Sequence, residues 1–458
     1  MARPLDRRAF LRTVGSKGAG LVVLANAASA TAYAANEEVN VALIGCGGRG
    51  TWFVKTMPKL SNVVALCDVS EKKATVAYRT FPDLPKYTDY RAMIDKQKDI
   101  EAVVVATPDH NHAMASATAI KAGRHVFVEK PMTRTVYEAR RVRELAKQHR
   151  VATSMGNQGT ASGQFRRAIE LIRDGTIGVI EQVHVWNNGG GPSRKETPKD
   201  TAKVPPYLNW DLWLGPAPFR PFHPKWMAWH GWREFGTGQL GNWASHSANL
   251  AFMALKVDSV WVADPATKPR IRVEAKVSEI NKLSFPRWEL IRWDIPARGA
   301  LPPISIHWHN GGRRPGMRDL LEGLLGDDLD WGDKKEKKWR DHAGALIVGS
   351  KGRIHATGHN ASFRLLPEDQ FKDVDRSRPQ QLDGSRGHER DWLLACKGGK
   401  HAWAHFDYAG PLVEFLMLGN VATQFEGVLE YDPLACKILN HAEADKALRP
   451  VYREGWSL

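Results

Sequence analysis

Cysteine is scarce in this chain, with four residues among 458, too few for a disulfide framework at this length. Cys46 lies in a glycine loop and Cys67 in an apolar run, where small core side chains are expected; a Cys396–Cys436 bridge is conceivable, and sequence alone does not test it. No internal repeat and no low-complexity run is present, so the chain is not built as an array. No segment offers the ~20 strongly apolar residues that a membrane span needs. The nearest candidate, Gly18 to Ala35, is short and rich in Ala, Gly and Ser. Dense basic blocks are also lacking, although the formal net charge is +15. Arg166-Arg167, Arg313-Arg314 and Lys334 to Lys338 are scattered, which reads as a solvated basic surface rather than a nucleic-acid stripe. Neither a nucleic-acid partner nor an integral membrane protein is expected.

At 458 residues the chain exceeds the roughly 250–300 at which single cores stop growing, so two cores are expected. Hydrophobic content of 43% and charged content of 25% are those of a globular protein. The first residues read as an export signal. Arg7-Arg8-Ala9-Phe10-Leu11-Arg12 is a twin-arginine pattern, with Asp6 where Ser or Thr is more usual, and Ala28-Ser29-Ala30 and Ala32-Tyr33-Ala34 are small-residue cleavage sites. The expectation is a signal peptide over residues 1–35 and a mature protein that works in the periplasm or is otherwise exported.

What the sequence does carry is a glycine loop with a downstream acid. Gly45-Cys46-Gly47-Gly48-Arg49-Gly50 follows the apolar run Val39 to Ile44, and Asp68 closes the next run, Val63 to Cys67, 23 residues after Gly45. Gly45 suits a tight turn, Gly47 the close approach of a pyrophosphate, and Gly50 the packing of a helix on the strand. Asp68 is placed to hydrogen-bond ribose hydroxyls and to repel a 2′-phosphate, which favours NAD over NADP.

Up to about Ser154 strand and helix alternate. Val39–Ile44, Val63–Cys67, Ala102–Ala106 and His125–Glu129 suit buried parallel strands. Thr51–Pro58, Ser70–Arg79, Tyr90–Lys96 and Ala113–Ala122 suit helices, the last capped by Gly123. The expected fold is α/β: a doubly wound Rossmann sheet over residues 36–155, then an α+β domain with an open, mostly antiparallel sheet over 156–458. In the second part, Gly163–Asp174, Gly241–Leu255, Arg386–Cys396 and Pro411–Gln424 read as helices. Gly178–Trp186, Trp261–Ala263, Arg270–Val277, Trp288–Ile295, Pro303–His309, Ala345–Val348 and Gly352–His355 read as strands. Between them, Asn187 to Gly238 is a long Gly/Pro/Trp-rich stretch of the kind that makes lids and binding surfaces.

Ligands of such sheets sit beyond the carboxyl ends of the strands. Those ends carry Thr107-Pro108-Asp109-His110-Asn111-His112 and Glu129-Lys130-Pro131. A lysine beside the cationic oxidised nicotinamide has its pKa drawn from ~10.4 towards neutrality, which suits acid/base work. These segments resemble the glucose–fructose oxidoreductase/inositol dehydrogenase (Gfo/Idh/MocA) family. The resemblance continues through Gly156-Asn157-Gln158-Gly159, Trp210-Asp211-Leu212-Trp213-Leu214-Gly215-Pro216, Phe235-Gly236-Thr237-Gly238 and Phe406-Asp407-Tyr408-Ala409-Gly410-Pro411, which look like its exported branch.

The resemblance implies NAD as cofactor, a sugar or polyol between the domains, and a homo-oligomer, dimer or tetramer. It implies Lys130 and His246 as catalytic residues. For the cofactor it implies Gly45, Gly47, Gly48, Arg49, Gly50, Asp68, Thr107, Pro108, His110, His112, Glu129, Lys130, Asn157 and Gln158. For the sugar it implies Trp210, Trp213, Trp232, Arg233, Asn242 and His246. Asn242 departs from the family's usual Asp: an amide orients an imidazole but does not stabilise its cation by charge, which shifts weight to Lys130. The crowd of Trp210, Trp213, Trp226, Trp229 and Trp232, with His230 and Arg233 alongside, suits a sugar-stacking wall, core packing or a dimer contact. His307-Trp308-His309 puts two histidines on one strand face, but no third ligand has a recognisable spacing, so no metal is expected.

The function expected is exported, NAD-dependent oxidation of a sugar or glycoside hydroxyl. The alternatives are a redox-neutral NAD-dependent glycosidase (oxidation, elimination, hydration, reduction) and a degenerate sugar-binding protein. No Tyr-Pro-Thr-His segment like that of the exported α-N-acetylgalactosaminidases is present.

Overall fold

A computed structural model of the chain describes residues 38–311, 323 and 342–458. The expected signal peptide, residues 1–35, and Arg313-Arg314 and Lys334 to Lys338 lie outside these residues. Six short strands form the first sheet: β1 Asn40–Ile44, β2 Asn62–Cys67, β3 Lys86–Tyr87, β4 Ala102–Val105, β5 His125–Val128 and β6 Thr153–Met155. They are parallel, in the order β3-β2-β1-β4-β5-β6. Helices cover both faces, which is why β1 and β4 read as unbroken apolar runs rather than alternating ones. The chain winds outwards in one direction from β1 and in the other from β4. A crevice opens where their carboxyl ends part, and the site is built there.

Several elements differ from the sequence expectation. The helix expected from Ala113 begins at Asp109 and runs to Lys121, so the polar residues Asp109 to His112 form its buried first turn. The helix Val136–His149 was not expected; Thr135 and Glu138 form a reciprocal capping box at its start. The segment Trp261–Ala263 is not a strand, because residues Val257–Val262 close a 3₁₀ helix in which Val260 and Trp261 turn into the core. The expected helix Gly241–Leu255 is broken into a π-helical turn, Leu240–Ala244, and two short α segments. Cys396 and Cys436 are free thiols.

The second sheet has nine strands. They are β7 Ile180–Asn187, β8 Ile271–Val277, β9 Glu289–Ile295, β10 Ile304–Asn310, β11 Ala343–Gly349, β12 Gly352–Thr357, β13 Phe363–Leu366, β14 Val428–Asp432 and β15 Lys437–Ile438. Their order is β13-β12-β11-β7-β10-β9-β8-β14-β15, antiparallel except for the β7–β10 pair.

The helix Phe406–Ala422 joins the two halves. Every residue in it except Asp407 is buried. On one side Phe415 packs on Trp293 of β9 at 4.4 Å. On the other, Glu414 takes a bidentate pair from Arg140 of helix Val136–His149 at 2.8 and 2.9 Å. A Cβ on Gly410 would stand 2.8 Å from the Arg143 side chain, so the glycine lets the two helices close on each other. Chain order and cores do not coincide, because Trp392, Leu393 and Ala402, late in the chain, are buried in the core of the first sheet. Among the described residues no helix is long and apolar enough to cross a membrane.

Candidate functional site

The turn after β1 takes its shape from two glycines. Gly45 has φ +83°, and a Cβ there would lie 2.6 Å from the Ala106 carbonyl at the end of β4. A Cβ on Gly50 would stand 1.9 Å from the Gly45 oxygen, so the helix Gly50–Thr56 starts against the strand only because that hydrogen is there. The Gly47 Cβ direction points at Lys73 instead, 2.7 Å from its Cβ. Gly47 therefore also lets the helix Glu71–Thr80 approach, a role beside the pyrophosphate contact expected of it. The Gly48 and Arg49 N–H groups are used by no backbone bond among the described residues.

Asp68, at the end of β2, closes this turn from below. Its two oxygens accept the Cys46 and Ser70 N–H groups, each at 2.8 Å. Burial pushes its carboxyl above the usual range while these N–H groups pull it back.

A cavity of about 480 Å³ opens over the turn. It is lined by Gly45, Gly47, Gly48, Arg49, Asp68, Thr107, Pro108, His112, Glu129, Lys130, Trp213 and Asn242, all anticipated from sequence. Within it Arg49 Nε donates to Glu129 at 2.8 Å. A Cβ on Gly156 would lie 2.6 Å from that carboxylate, so Gly156 leaves the carboxylate its room. The two ring nitrogens of His112 lie 2.8 Å from the Pro131 oxygen and 2.7 Å from the Thr107 oxygen, tying two strand ends together. The Lys130 ammonium donates to the Asn242 side-chain oxygen at 2.5 Å and to its backbone oxygen at 3.1 Å. Burial lowers the Lys130 pKa, against the opposing pull of Glu129 and Asp109.

Other anticipated residues lie elsewhere. Gly50 is beneath the turn. His110 is buried between Trp213 and Phe235, with Nε2 2.8 Å from the Trp213 carbonyl; burial takes its pKa down to about 3. Asn157 turns away from the cavity and donates to the Ser245 carbonyl at 2.7 Å, and Gln158 faces solvent. Trp210 and Trp232 are core, with indole N–H groups satisfied by the Arg220 and Lys225 carbonyls. The Arg233 guanidinium is spent on Asn281, Ser284, Asn420 and Thr423. His246 is buried behind Asn242 and does not line the cavity; burial and the Lys130 charge push its pKa well down.

Sequence reasoning did not assign Lys73, Leu212, Met227, Trp229 or His230 to the site, yet all line the cavity. Trp229 and His230 stack at 3.5 Å between ring centroids. They were visible among the crowded aromatics, but no spacing distinguished them from the core tryptophans beside them. His307 and His309 meet His184 across the parallel β7–β10 pair, stacked at 5.0 and 5.4 Å. Among the described residues no group of three or more His, Cys, Asp or Glu side chains is arranged to hold a metal ion.

The glycine turn, the uncommitted N–H groups and the rim carboxylate fit a dinucleotide, which makes this a two-domain nicotinamide-cofactor protein. Residues 39–157 match the oxidoreductase family's NAD-binding Rossmann fold and residues 187–280 its C-terminal alpha/beta domain. The chain belongs to the Gfo/Idh/MocA oxidoreductase family. It is 27% identical over 205 residues to a glycosyl hydrolase family 109 protein of Saccharopolyspora erythraea, covering 39% of this chain and 45% of that protein. It is 29% identical over 154 residues to levoglucosan dehydrogenase of Pseudarthrobacter phenanthrenivorans, covering 31% and 39%. These alignments span less than half of the relatives' own length. A WlbA dehydrogenase of Bordetella pertussis, solved with NADH and UDP-GlcNAcA, has the same fold at TM-score 0.55 and 15% identity, over 86% of this chain and 98% of that one.

Proposed function

We propose that the protein is an exported NAD-dependent enzyme that oxidises a hydroxyl of a sugar or glycoside, with Lys130 as the base. The observation that carries the reading is Lys130 in the cofactor cavity, with its lowered pKa and its ammonium against the neutral amide of Asn242. When bound, NAD supplies the acceptor for the hydrogen and electron pair leaving the sugar carbon. Lys130 takes the hydroxyl proton as that carbon becomes a carbonyl. Asn242 holds the amine in place through its two oxygens. Trp213, Trp229 and His230, from the second half of the chain, offer aromatic faces to a sugar and keep water out. Asp68 favours NAD over NADP. Export rests on Arg7-Arg8 and the segment to Ala35, and a homo-oligomer on the family resemblance.

A second reading has specific support: relatives named as glycosyl hydrolase family 109 proteins and an alpha-N-acetylgalactosaminidase of Shewanella oneidensis. Outside the cytoplasm no cofactor pool renews NAD, so a redox-neutral cycle of oxidation, elimination, hydration and reduction suits an exported enzyme. Incubation with free hexoses, methyl glycosides and levoglucosan, followed by mass spectrometry, separates the two. Net nicotinamide reduction supports a dehydrogenase. Glycoside cleavage without it supports the hydrolase. Sugar binding with neither leaves only a binding protein.

Lys130→Met tests the base directly. It removes the transferable proton and keeps much of the bulk, so the single-turnover rate should fall by about 10²–10⁴-fold with NAD still bound. A rate near wild type would exclude Lys130 as the base.

A further inference from the structure

A proton taken by Lys130 must leave again, and a cofactor and sugar bound in the cavity would stand between the amine and bulk water. Behind Asn242 the structure offers another way out. His246 follows Asn242 by one helical turn and is only 4% exposed. Its ring lies 4.6 Å, centroid to centroid, from that of His359, at 50°. His359 is exposed, in the turn between β12 and β13, with the Trp243 ring 5.3 Å away. That turn is fixed from several directions. Asn360 Oδ1 accepts the Leu250 N–H at 3.0 Å, Ser162 donates to the Ala361 carbonyl at 3.1 Å, and a Cβ on Gly159 would stand 2.3 Å from the His359 oxygen.

We propose that His359 is a positioning residue that completes a proton path, from Lys130 through the His246 ring to His359 and then to bulk water. The path rests on the reading of Lys130 as base. The step balances: the sugar C–H leaves as hydride to the bound nicotinamide, the hydroxyl proton goes to the neutral amine, and that proton moves outward. Among the described residues no hydrogen bond joins Lys130 to His246 or His246 to His359, so each transfer passes through a bridging water, the imidazole accepting at one nitrogen while donating from the other. His246 therefore need not hold the charge for long, in keeping with a pKa pushed well down by burial, Lys130, His359, Arg49 and His388. The groups acting on His359 are its partial burial, Lys130 and Arg49, and all three lower its pKa.

Two arms test the path. In the ligand-free protein, the titration midpoint of the His359 ring, followed by NMR, should rise in Lys130→Met because a positive charge is removed. An unchanged midpoint overturns the connection, and this arm reads out even if none of the sugars turns over and the proposed activity fails. In single turnovers with methyl glycosides and levoglucosan, His359→Phe preserves the ring packing and removes the nitrogens. Its rate should fall on the order of tenfold, less than for loss of the base itself. The solvent isotope effect should increase, and added imidazole should restore the rate of His359→Ala, which leaves the ring's space open. Unchanged rate and isotope effect, or a loss that imidazole does not restore, overturns the proposal.

Discussion

At position 242 the side chain beside the Lys130 ammonium is an amide, with its oxygen 2.5 Å away. The amide accepts the hydrogen bond without adding a negative charge, so burial prevails and the lysine pKa is lowered. Asn242→Asp would place a carboxylate at that distance and stabilise the ammonium. A base must be neutral to act, so the rate climbs as pH rises through the lysine pKa. The variant should move that limb of the kcat/KM profile to higher pH by about one unit or more, each unit being about 1.4 kcal/mol of added preference for the charged form. A limb that stays in place would mean that Lys130 does not set it. The lysine, the glycine loop and Asp68 were legible in the sequence because each depends on a few neighbouring residues at the end of one strand. Trp229 and His230 were not, since the same stretch also supplies Trp210 and Trp232 to the core and only tertiary packing sorts them. His359 carried no local signal, because its role depends on a hairpin from the second sheet meeting the buried face of His246.

Among the elements, the helix Phe406–Ala422 packs against both halves. Its Glu414 is fully buried and accepts from Arg140 twice, from the Trp261 indole and from the Tyr431 hydroxyl, the last two at 2.8 Å. Glu414→Leu leaves the Arg140 charge without its carboxylate, although the Pro433 and Leu434 carbonyls still accept from it. Breaking a buried pair from one side costs about 3–5 kcal/mol, and the 13% exposure of the Arg140 side chain puts the expectation at the lower end. Denaturant unfolding reads it. The double variant with Arg140→Leu should lose less than the two single losses added together, because no charge is then stranded. Simple additivity would mean that the two groups do not act as a pair. The expected start of this helix at Pro411 was five residues late: proline marked a boundary in the sequence, but here it is tolerated early in a helix whose preceding turn is fixed by packing. The π turn at Leu240–Ala244 was hidden for a related reason, since periodicity sees a helix there without its local pitch.

Across the whole molecule, the cavity has walls from both halves. The glycine turn, Asp68 and Lys130 come from the first sheet's domain, whereas Trp213, Trp229, His230 and Asn242 come from the later chain. A ligand that spans both walls binds the closed native form and not the unfolded chain, so its binding energy adds to folding stability. At a free concentration a hundred times Kd the gain is about 2.7 kcal/mol. NAD should therefore raise the thermal midpoint in a concentration-dependent way and protect the Asn187 to Gly238 stretch from proteolysis. NADP should do so less at equal concentration, because the Asp68 carboxylate faces a 2′-phosphate. In Asp68→Ala the difference should narrow from both directions, as NAD loses its ribose hydrogen bonds and NADP its repulsion. This variant also frees the Cys46 and Ser70 N–H groups that Asp68 holds, so the ligand-free midpoint should fall and must be subtracted first. Equal stabilisation of the wild-type protein by NAD and NADP would remove Asp68 as the discriminating group. No stabilisation by either would separate the glycine turn from dinucleotide binding in this chain.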